Sequence, residues 1–447
     1  MPPSTTKPRV SVHTLGCKLN YAETSTLASS FAERGFEPVP FGEQTDVFLL
    51  NTCSVTENAE KECRKIIRRT ARESPGAYII VTGCYAQLRP EEIASIDGVD
   101  LVLGAKEKFD VLKYVGNFDR SAGPKIFASE IEEATDFHFG TSSDSDSRTR
   151  AFLKVQDGCD YNCSFCTIPD ARGASRSAEI GEIVQRARNL SHEGFHEIIL
   201  SGVNVGDFGR KTGTSFYDIA LALENDSEIT ARIRISSIEP NLLTDEIVDL
   251  VASSQKLCPH FHIPMQSGSD MILRLMQRRY STGTYWTLVG RIKNLMPNAC
   301  IGADVIVGFP GETDEDFRET CEFIESLDLS YLHVFTYSER PGTKASTMKG
   351  VVPVHIRRER NRSLRMISEK KLRAFYESQI GREVTLIIEK TGDGYSENYV
   401  RTMLNRDLPL GAELVHARLL NICGDSAEAE LLEVLASRRV EVLLPIL

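Results

Sequence analysis

The chain has 447 residues, a formal net charge of −11 and 11 cysteines. This length predicts about two to four domains with ample cores, and no apolar run is long enough to cross a membrane. The first nine residues contain no apolar segment typical of a signal peptide, so we expect a cytoplasmic protein. In a reducing compartment an odd number of cysteines favours metal binding over disulfides.

Residues 9 to about 125 alternate short apolar runs with helical patterns. The runs are Val10–Leu15, Val47–Leu50 and Tyr78–Val81, and helix-like segments lie between them near residues 22–34 and 59–73. This alternation predicts an open parallel α/β sheet, which we assign to an N-terminal domain of residues 1–125.

Each of these predicted strands leads directly into a cysteine, namely Cys17, Cys53 or Cys84. Because the carboxyl ends of parallel strands meet along one edge of a sheet, we expect the three thiols to converge. A single free cysteine is commonly a small buried apolar residue, but three at the same topological position favour a metal cluster. Cys63 lies on a predicted helix, and we interpret it as structural.

Residues 126–149 predict a linker, since their second half is polar, rich in Ser and Asp, and without periodicity. The alternation of strands and helices then resumes. It predicts a partial (βα)6 barrel, open on one side, within a domain of residues 150–377. Its six strand candidates are Phe152–Val155, Glu197–Leu200, Arg232–Ser236, His260–Ile263, Ile301–Val307 and Tyr331–Phe335.

The first barrel strand is followed by Cys159, Cys163 and Cys166, in a C-x-x-x-C-x-x-C spacing. Three thiolates leave one iron of a four-iron cluster open to a small chelating ligand. A structural zinc site would need a fourth ligand, usually from a second Cys or His pair, and none stands at a useful spacing nearby. The spacing therefore favours an iron–sulfur cluster over zinc.

Other polar residues and glycines follow the remaining barrel strands, where one ligand bound across the barrel top would touch them. For Arg278 a solvated surface position is an equal alternative. His260 and His262 are interpreted as packed near a strand end rather than as ligands. The candidates for binding this ligand are Phe165, Gly202, Asn204, Glu239, Gln266, Arg278, Gly308, Phe309 and Pro310.

A basic segment follows the barrel pattern. Residues 340–377 contain eleven Lys or Arg and three acids, and an apolar stripe through Leu364, Ile367 and Phe375 predicts a helix that packs on one face. The cationic face is typical either of a helix face exposed to solvent or of a surface that binds the phosphate backbone of a nucleic acid.

The last domain, residues 378–447, predicts a small antiparallel β-barrel that ends in a strand at Val440–Leu444. Such barrels commonly bind single-stranded or loop nucleic acid. The candidate RNA contacts in the basic segment and this barrel are Arg357, Arg358, Arg362, Arg365, Tyr395 and Asn398.

Together these motifs resemble the methylthiotransferase family of radical S-adenosylmethionine (SAM) enzymes, with a cluster domain, a radical SAM barrel and a C-terminal TRAM domain. The likeness covers residues 9 to the C-terminus. Within the family it is strongest to the branch that acts on tRNA N6-threonylcarbamoyladenosine. The segments that carry it are Thr14–Thr24, Asn51–Thr56, Val81–Gln87, Cys166–Gly173 and Gly394–Tyr399.

The resemblance implies that Cys159, Cys163 and Cys166 hold a [4Fe-4S] cluster that binds SAM, and that the N-terminal cysteines hold an auxiliary [4Fe-4S] cluster. It implies methylthiolation at carbon 2 of threonylcarbamoyladenosine 37, beside the anticodon. One SAM would methylate a cluster-bound sulfur and a second would supply the radical that abstracts the hydrogen. The implied partners are the tRNA anticodon stem-loop and an electron-donor protein, and no catalytic residue is assigned beyond the clusters.

The residues Asp170, Ala171 and Ala174 occupy variable places in the family pattern. We expect them to affect substrate contacts near Arg172 and not cluster ligation. Charge alone does not choose among tRNA bases. The alternatives are therefore a methylthiotransferase for isopentenyladenosine tRNA or for a ribosomal protein, and a tRNA-binding metalloprotein without turnover.

Overall fold

The computed structural model describes residues 7–54, 57–121, 123–142, 149–389, 392–405, 408 and 411–437. They form an N-terminal parallel sheet, a central partial barrel and a C-terminal closed barrel. The predicted α/β class and its three-part architecture are confirmed. The predicted strand Val440–Leu444 lies outside the described residues. Among the helices that are described, none is long and apolar enough to cross a membrane.

The N-terminal domain alternates strands and helices as its sequence pattern predicts. Its strands are β1 (Arg9–Thr14), β2 (Glu37–Val39), β3 (Val47–Thr52), β4 (Tyr78–Gly83), β5 (Val99–Leu103) and β6 (Lys125–Phe127). Its helices are α1 (Lys18–Glu33), α2 (Glu57–Glu73), α3 (Cys84–Leu88), α4 (Pro90–Ala94) and α5 (Val111–Tyr114).

These strands form one parallel sheet in the order β2-β1-β3-β4-β5-β6. Strands β3 and β4 are buried along their whole length, which explains their continuous apolar sequence. Strand β6 extends the sheet into the predicted linker. Further along, Lys154 donates its backbone N–H to the carbonyl of Gly140 at 2.9 Å, so this end of the segment packs on the barrel instead of hanging free.

The central domain contains the six predicted barrel strands and a short extra pair. Its strands are β7 (Arg150–Lys154), β8 (Gln156–Asp157), β9 (Arg176–Ser177), β10 (Glu197–Ser201), β11 (Arg232–Ile235), β12 (His260–His262), β13 (Cys300–Val307) and β14 (Tyr331–Thr336). Its helices are α6 (Ile168–Arg172), α7 (Ile180–His192), α8 (Phe216–Asn225), α9 (Asp245–Ser253), α10 (Asp270–Leu275), α11 (Thr282–Leu295), α12 (Asp314–Ser326) and α13 (Val354–Gln379).

The barrel wall consists of two parallel three-stranded sheets, β11-β10-β7 and β12-β13-β14. Isolated bridges from Ile233 to Leu257 and from Ser237 to His262 join the two halves. Strands β8 and β9 pair antiparallel across the cysteine loop. The wall is thus continuous from β7 to β14, and the six strands bring their carboxyl ends to one rim.

The C-terminal domain is a closed barrel in the order β15-β16-β17-β19-β18. Its strands are β15 (Glu383–Ile388), β16 (Asp393–Tyr395), β17 (Arg401–Leu404), β18 (Ala412–Cys423) and β19 (Ser426–Ser437). Closure removes the exposed strand edges that would otherwise pair with other chains.

This closed barrel docks at the amino ends of the central barrel strands. Arg232, the first residue of β11, donates to the backbone carbonyls of Thr385 and Tyr395 at 2.8 and 2.9 Å. His260, the first residue of β12, packs its ring 4.4 Å from that of Tyr399. The C-terminal domain therefore lies at the opposite end of the barrel strands from their carboxyl rim.

Candidate functional site

The three N-terminal cysteines lie at the carboxyl ends of adjacent strands, as the sequence predicts. Cys17 precedes α1 directly after β1, Cys53 follows β3, and Cys84 begins α3 at the end of β4. Strands β1, β3 and β4 are neighbours in the sheet. Cys53 and Cys84 are buried, and Cys17 is exposed to solvent at the same edge of the sheet.

Glycines allow these loops to approach each other closely. Gly16 has a φ of +105°, and a Cβ built there would stand 2.8 Å from the Sγ of Cys53. Gly83 has a φ of +97°, and its Cβ would stand 2.4 Å from the backbone oxygen of Thr52. Only glycine adopts this backbone and fits this space without strain.

The second triad lies in the loop between β8 and α6, at the rim of the barrel. Cys159 donates its backbone N–H to the carbonyl of Gly173 at 3.0 Å. Further along the loop, Ser164 donates its backbone N–H to Met276 O at 3.1 Å and its hydroxyl to Leu275 O at 2.7 Å. The cysteine loop is therefore fixed near its start, at Cys159, and between its second and third cysteines, at Ser164.

Each sulfur of this triad accepts one hydrogen bond. The backbone N–H groups of Tyr161 and Ile168 donate to Cys159 and Cys166, both at 3.4 Å. The guanidinium of Arg278 donates to Cys163 at 2.9 Å. Donors of this kind stabilise thiolate and tune the potential of an iron–sulfur cluster.

Burial raises the pKa of the Cys159 and Cys166 thiols to about 12. It also raises the pKa of Cys163, against the opposing charge of Arg278, and that of Cys84. These thiols are thus protonated in the protein alone, and a metal must displace their protons to bind.

Neither cysteine triad is drawn together tightly enough in this structure for its three sulfurs to bind one zinc ion. Among the described residues, the only group of His, Cys, Asp or Glu ligand atoms that all lie within 4.8 Å comprises His262, Asp304 and His333. At least one sulfur pair in each cysteine triad is therefore wider than that. Tetrahedral zinc with Zn–S bonds of about 2.3 Å would hold its sulfurs about 3.8 Å apart, whereas a four-iron cluster spreads its ligands over separate irons.

A buried charge network joins the two domains behind the triads. Glu23 of α1 binds Lys108, Lys154 and Arg172 at 2.7, 2.8 and 3.0 Å. Asp157 binds Lys154 and Arg172 from the barrel side at 2.7 and 2.8 Å. Burial alone would raise the pKa of Glu23, but the three surrounding cations hold it well below its usual range.

Two cavities lie between the triads. The first, of about 210 Å³, is lined by residues that include Phe165, Cys166 and Gln266 at the barrel rim. The second, of about 380 Å³, is lined by residues that include Ser54, next to Cys53. Both cavities are lined by Thr167 and Arg340, so these two residues stand where the cavities adjoin.

The predicted SAM-binding residues fall into three groups: two line the first cavity, three are linked through Glu239, and four pack within the rim. Phe165 and Gln266 line the first cavity. Arg278 is buried and ion-paired with Glu239 beside Cys163, which removes the alternative of a solvated arginine. Asn204 accepts from the backbone N–H of Glu239 at 3.3 Å.

Gly202, Gly308, Phe309 and Pro310 hold the rim in place. A Cβ at Gly202 would stand 2.8 Å from Gln156, and one at Gly308 would stand 2.3 Å from Arg357. Phe309 is fully buried, and Pro310 is buried as well. The structure explains these four residues by packing, and contact with SAM stays a prediction for all of them.

The comparisons with known proteins agree with this arrangement. Residues 9–104 match the family described as "Uncharacterized protein family UPF0004" and residues 153–324 match the radical SAM superfamily. The threonylcarbamoyladenosine tRNA methylthiotransferase MtaB of Aquifex aeolicus is 38% identical over 88% of this chain and 95% of its own length. The protein of the same name in Bacillus subtilis is 38% identical over 92% and 93%.

This chain belongs to the MtaB methylthiotransferase family. The radical SAM methyltransferase TsrM of Kitasatospora setae is similar in fold, with a TM-score of 0.57 and 16% identity over 76% of this chain and 77% of TsrM. Two [4Fe-4S] clusters and SAM are the cofactors of the MtaB family, and the two cysteine triads offer the thiol sets that such clusters require.

The structure separates the predicted RNA contacts of this MtaB-family chain into two sets. Arg358, Arg362 and Arg365 are exposed along one face of α13. Arg357 is buried instead, and donates to the backbone oxygens of Val352 and Tyr337 at 2.7 and 2.9 Å.

The two predicted contacts in the C-terminal domain also face inward. Asn398 is 2% exposed and donates to Asn298 O at 2.9 Å. Tyr395 stacks on Tyr399 at 5.0 Å and under the guanidinium of Arg150 at 4.8 Å. Asn398 and Arg357 are buried and are not presented to RNA in this structure, which corrects the prediction for both. Tyr395 is half-buried beside the docking surface, and its contact with RNA stays a prediction.

Sequence reasoning missed several residues that build the site. Gln156 donates to the backbone oxygen of Gly158 at 2.7 Å and accepts from the backbone N–H of Asn204 at 3.0 Å, so it ties two rim loops together. Lys154 interrupts the apolar run Phe152–Val155, and this charge within a buried strand is the one signal that pointed to the network of Glu23.

Proposed function

We propose that this protein methylthiolates carbon 2 of N6-threonylcarbamoyladenosine at position 37 of tRNA, beside the anticodon. The relatives that match nearly the whole chain are named for this tRNA modification. The observation that carries the proposal is that two adjoining cavities reach from Cys166 of the barrel triad to Ser54, the neighbour of Cys53 in the N-terminal triad. Sulfur insertion needs this arrangement, because the sulfur source and the radical must reach the same carbon.

In this proposal Cys159, Cys163 and Cys166 hold the SAM cluster, and Cys17, Cys53 and Cys84 hold the auxiliary cluster. When bound, these clusters supply the electron that cleaves SAM and the sulfur that enters the product. The protein itself holds the two cysteine triads in fixed positions and excludes water from the cavities beside them. The network of Glu23 and Arg172 supplies the rigidity, because it joins α1, which follows Cys17, to α6, which follows Cys166.

Gln266 and Phe165 suit SAM binding, because they place an amide and an aromatic edge on the wall of the first cavity. Arg278 holds Glu239 in place beside Cys163. The exposed arginines of α13 suit the phosphates of the anticodon stem, since an unpaired cationic surface attracts RNA in an otherwise acidic protein. An electron-donor protein is the remaining partner that we expect.

The test is mass spectrometry of nucleosides from anticodon stem-loop RNA treated without oxygen with the reconstituted protein, SAM and a reductant. Two RNAs are compared, one with threonylcarbamoyladenosine and one with isopentenyladenosine. We expect a methylthio mass shift on the first alone. The matched control replaces Cys159, Cys163 and Cys166 together by serine, and it should give no shift.

The other outcomes identify the alternatives. A shift on the isopentenyladenosine RNA alone would keep the chemistry and change the substrate. No shift on either RNA, with iron present in both sites, would favour a ribosomal-protein substrate. Zinc or no metal after anaerobic purification would favour a tRNA-binding protein without turnover.

A further inference from the structure

The two cavities adjoin at Arg340, an arginine whose hydrogen-bonding capacity is only partly used by the residues that the structure describes. Arg340 is 5% exposed, and its Nη1 pairs with the carboxylate of Glu60 at 2.6 Å. Its Nε and Nη2 have no hydrogen-bond partner among the residues that the structure describes. A buried donor without an acceptor is unfavourable, so these two nitrogens are best explained by a ligand that accepts from both.

Unused polar groups also lie on either side of this arginine. Tyr337 lines the first cavity and Ser54 lines the second. Both hydroxyl oxygens are buried and without a partner in the described part of the chain. Buried polar groups are normally satisfied, so a polar ligand in these two cavities would give all three side chains a partner.

The backbone at Arg340 is fixed before any ligand arrives. Arg340, Pro341, Gly342 and Thr343 form a turn in which Thr343 donates its backbone N–H and its hydroxyl to Arg340 O at 3.1 and 2.7 Å. Proline at the second position and glycine at the third, with a φ of +91°, are typical of a type II turn. The ion pair with Glu60 of α2 fixes the other end of the side chain, so the free edge of the guanidinium is already oriented.

We propose that Arg340 binds an oxyanion of the substrate nucleotide between the two cysteine triads, and this rests on the proposed function. The Nε and Nη2 of a guanidinium form a planar fork that matches two oxygens of a carboxylate or a phosphate. A threonylcarbamoyl nucleotide carries both groups. The second cavity is lined by two acids, Glu60 and Asp170, and by two arginines, Arg89 and Arg340. Because these formal charges balance, the directed fork of Arg340, and not the net charge of the wall, selects the anion.

The experiment compares Arg340→Gln and Arg340→Lys with the wild type, using the full chain with both clusters reconstituted. Fluorescence anisotropy measures the Kd for two stem-loop RNAs, one with threonylcarbamoyladenosine and one with its methyl ester, which lacks the negative carboxylate. We expect Arg340→Gln to weaken binding of the first RNA roughly 10- to 100-fold. Arg340→Lys should be intermediate, because it keeps the charge and loses the fork.

The ester identifies which oxyanion is bound. If the carboxylate is the ligand, Arg340→Gln binds the ester as well as the wild type does; if a phosphate is the ligand, it loses affinity for both RNAs by the same factor. Unchanged affinity for both RNAs would overturn the proposal. A raised KM for SAM in Arg340→Gln, measured by SAM cleavage without RNA, would also overturn it, since the arginine would then bind SAM and not the nucleotide.

Glu60→Gln separates binding from a purely structural tie between domains. It removes the ion pair and leaves the Nε and Nη2 edge in place, so we expect a smaller loss of RNA affinity than in Arg340→Gln. Equal losses in the two variants would show that Arg340 only holds the domains together. If RNA binding depends on Arg340 while the wild type transfers no methylthio group, the proposed reaction fails, and only the binding of an RNA oxyanion by Arg340 stands.

Discussion

Arg172 and Glu23 join the central barrel to the N-terminal domain, with Nη1 and Oε1 3.0 Å apart and both side chains almost wholly buried. Each lies six residues after a proposed cluster ligand, Glu23 after Cys17 and Arg172 after Cys166. Arg172 also donates to the side-chain oxygen of Asn20 at 2.5 Å. The contact therefore couples the positions of the two triads, which is what a reaction between two metal sites requires.

Replacing Glu23 by glutamine should destabilise the protein strongly. The variant leaves Lys108, Lys154 and Arg172 buried with one fewer carboxylate, and breaking a buried ion pair in this way costs about 3–5 kcal/mol. Urea unfolding measures the loss. Glu33→Gln, on the exposed end of the same helix, is the matched control and should change the free energy of unfolding by less than about 0.5 kcal/mol. Equal effects of the two substitutions would contradict the role of the network.

Iron analysis should separate ligands from structural cysteines. The reconstituted protein should hold roughly eight irons, and replacing Cys17, Cys53 and Cys84 together by serine should leave roughly four. Cys63→Ser should leave the iron content unchanged, although Cys63 lies in the same domain and is fully buried in its core. Loss of iron in Cys63→Ser would show that the ligand set is wrong.

The exposed face of α13 should govern RNA affinity. Replacing Arg358, Arg362 and Arg365 by glutamine should weaken stem-loop binding and reduce the salt slope of log Kd by up to about 3, near 1 for each arginine that pairs with a phosphate. Arg357→Gln serves as the comparison, because it should lower stability by removing the hydrogen bonds to Val352 and Tyr337. A salt slope unaffected by the triple substitution would place the RNA elsewhere.

His260 should make stability fall as the pH drops below about 6.5. Burial, with the nearby charges of Arg234 and Lys18 and a partly opposing effect of Glu197, holds the pKa of this imidazole well below its usual value. The unfolded chain takes up a proton there below about pH 6.5 and the folded chain does not. The free energy of unfolding therefore does not depend on this imidazole above that pH, and it falls by about 1.4 kcal/mol for each pH unit below it.

His260→Gln should remove this component of the slope. The variant also loses the bond to Tyr331 OH at 3.1 Å, but that loss shifts the free energy of unfolding by a similar amount at every pH. Urea unfolding of the metal-free protein at a series of pH values measures both quantities. A slope that is identical in variant and wild type would mean that His260 is protonated in the folded state.

The alternation of apolar runs and helical segments predicted the order of elements in both α/β domains. It succeeded because strands buried on both faces, such as β3 and β4, have continuous apolar sequences. It missed β5, a buried strand whose apolar run is interrupted by Asp100. It also missed β2 and β6, which are three residues long each and largely exposed, and so carry no apolar run. The cysteines were identifiable because strand-end position in a parallel sheet follows directly from the order of elements.

The residues that sequence reasoning misplaced depend on interactions between distant parts of the chain. Arg357 looked like a surface cation, but the turn of α13 that carries it faces Tyr337 and Gly308. The partners Glu23 and Arg172 are 149 positions apart, and no local pattern pairs them. Arg340 was noticed only as the start of a basic segment, and its role depends on Glu60 in another domain.

The most direct test of the central claim uses stem-loop RNA in which carbon 2 of threonylcarbamoyladenosine carries deuterium. The protein, with both clusters, SAM and a reductant, is allowed to react, and mass spectrometry follows the label. We predict that deuterium appears in 5′-deoxyadenosine while the RNA gains a methylthio group at the same carbon. A methylthio product without label transfer, or label transfer into 5′-deoxyadenosine from any other position of the RNA, would contradict the account.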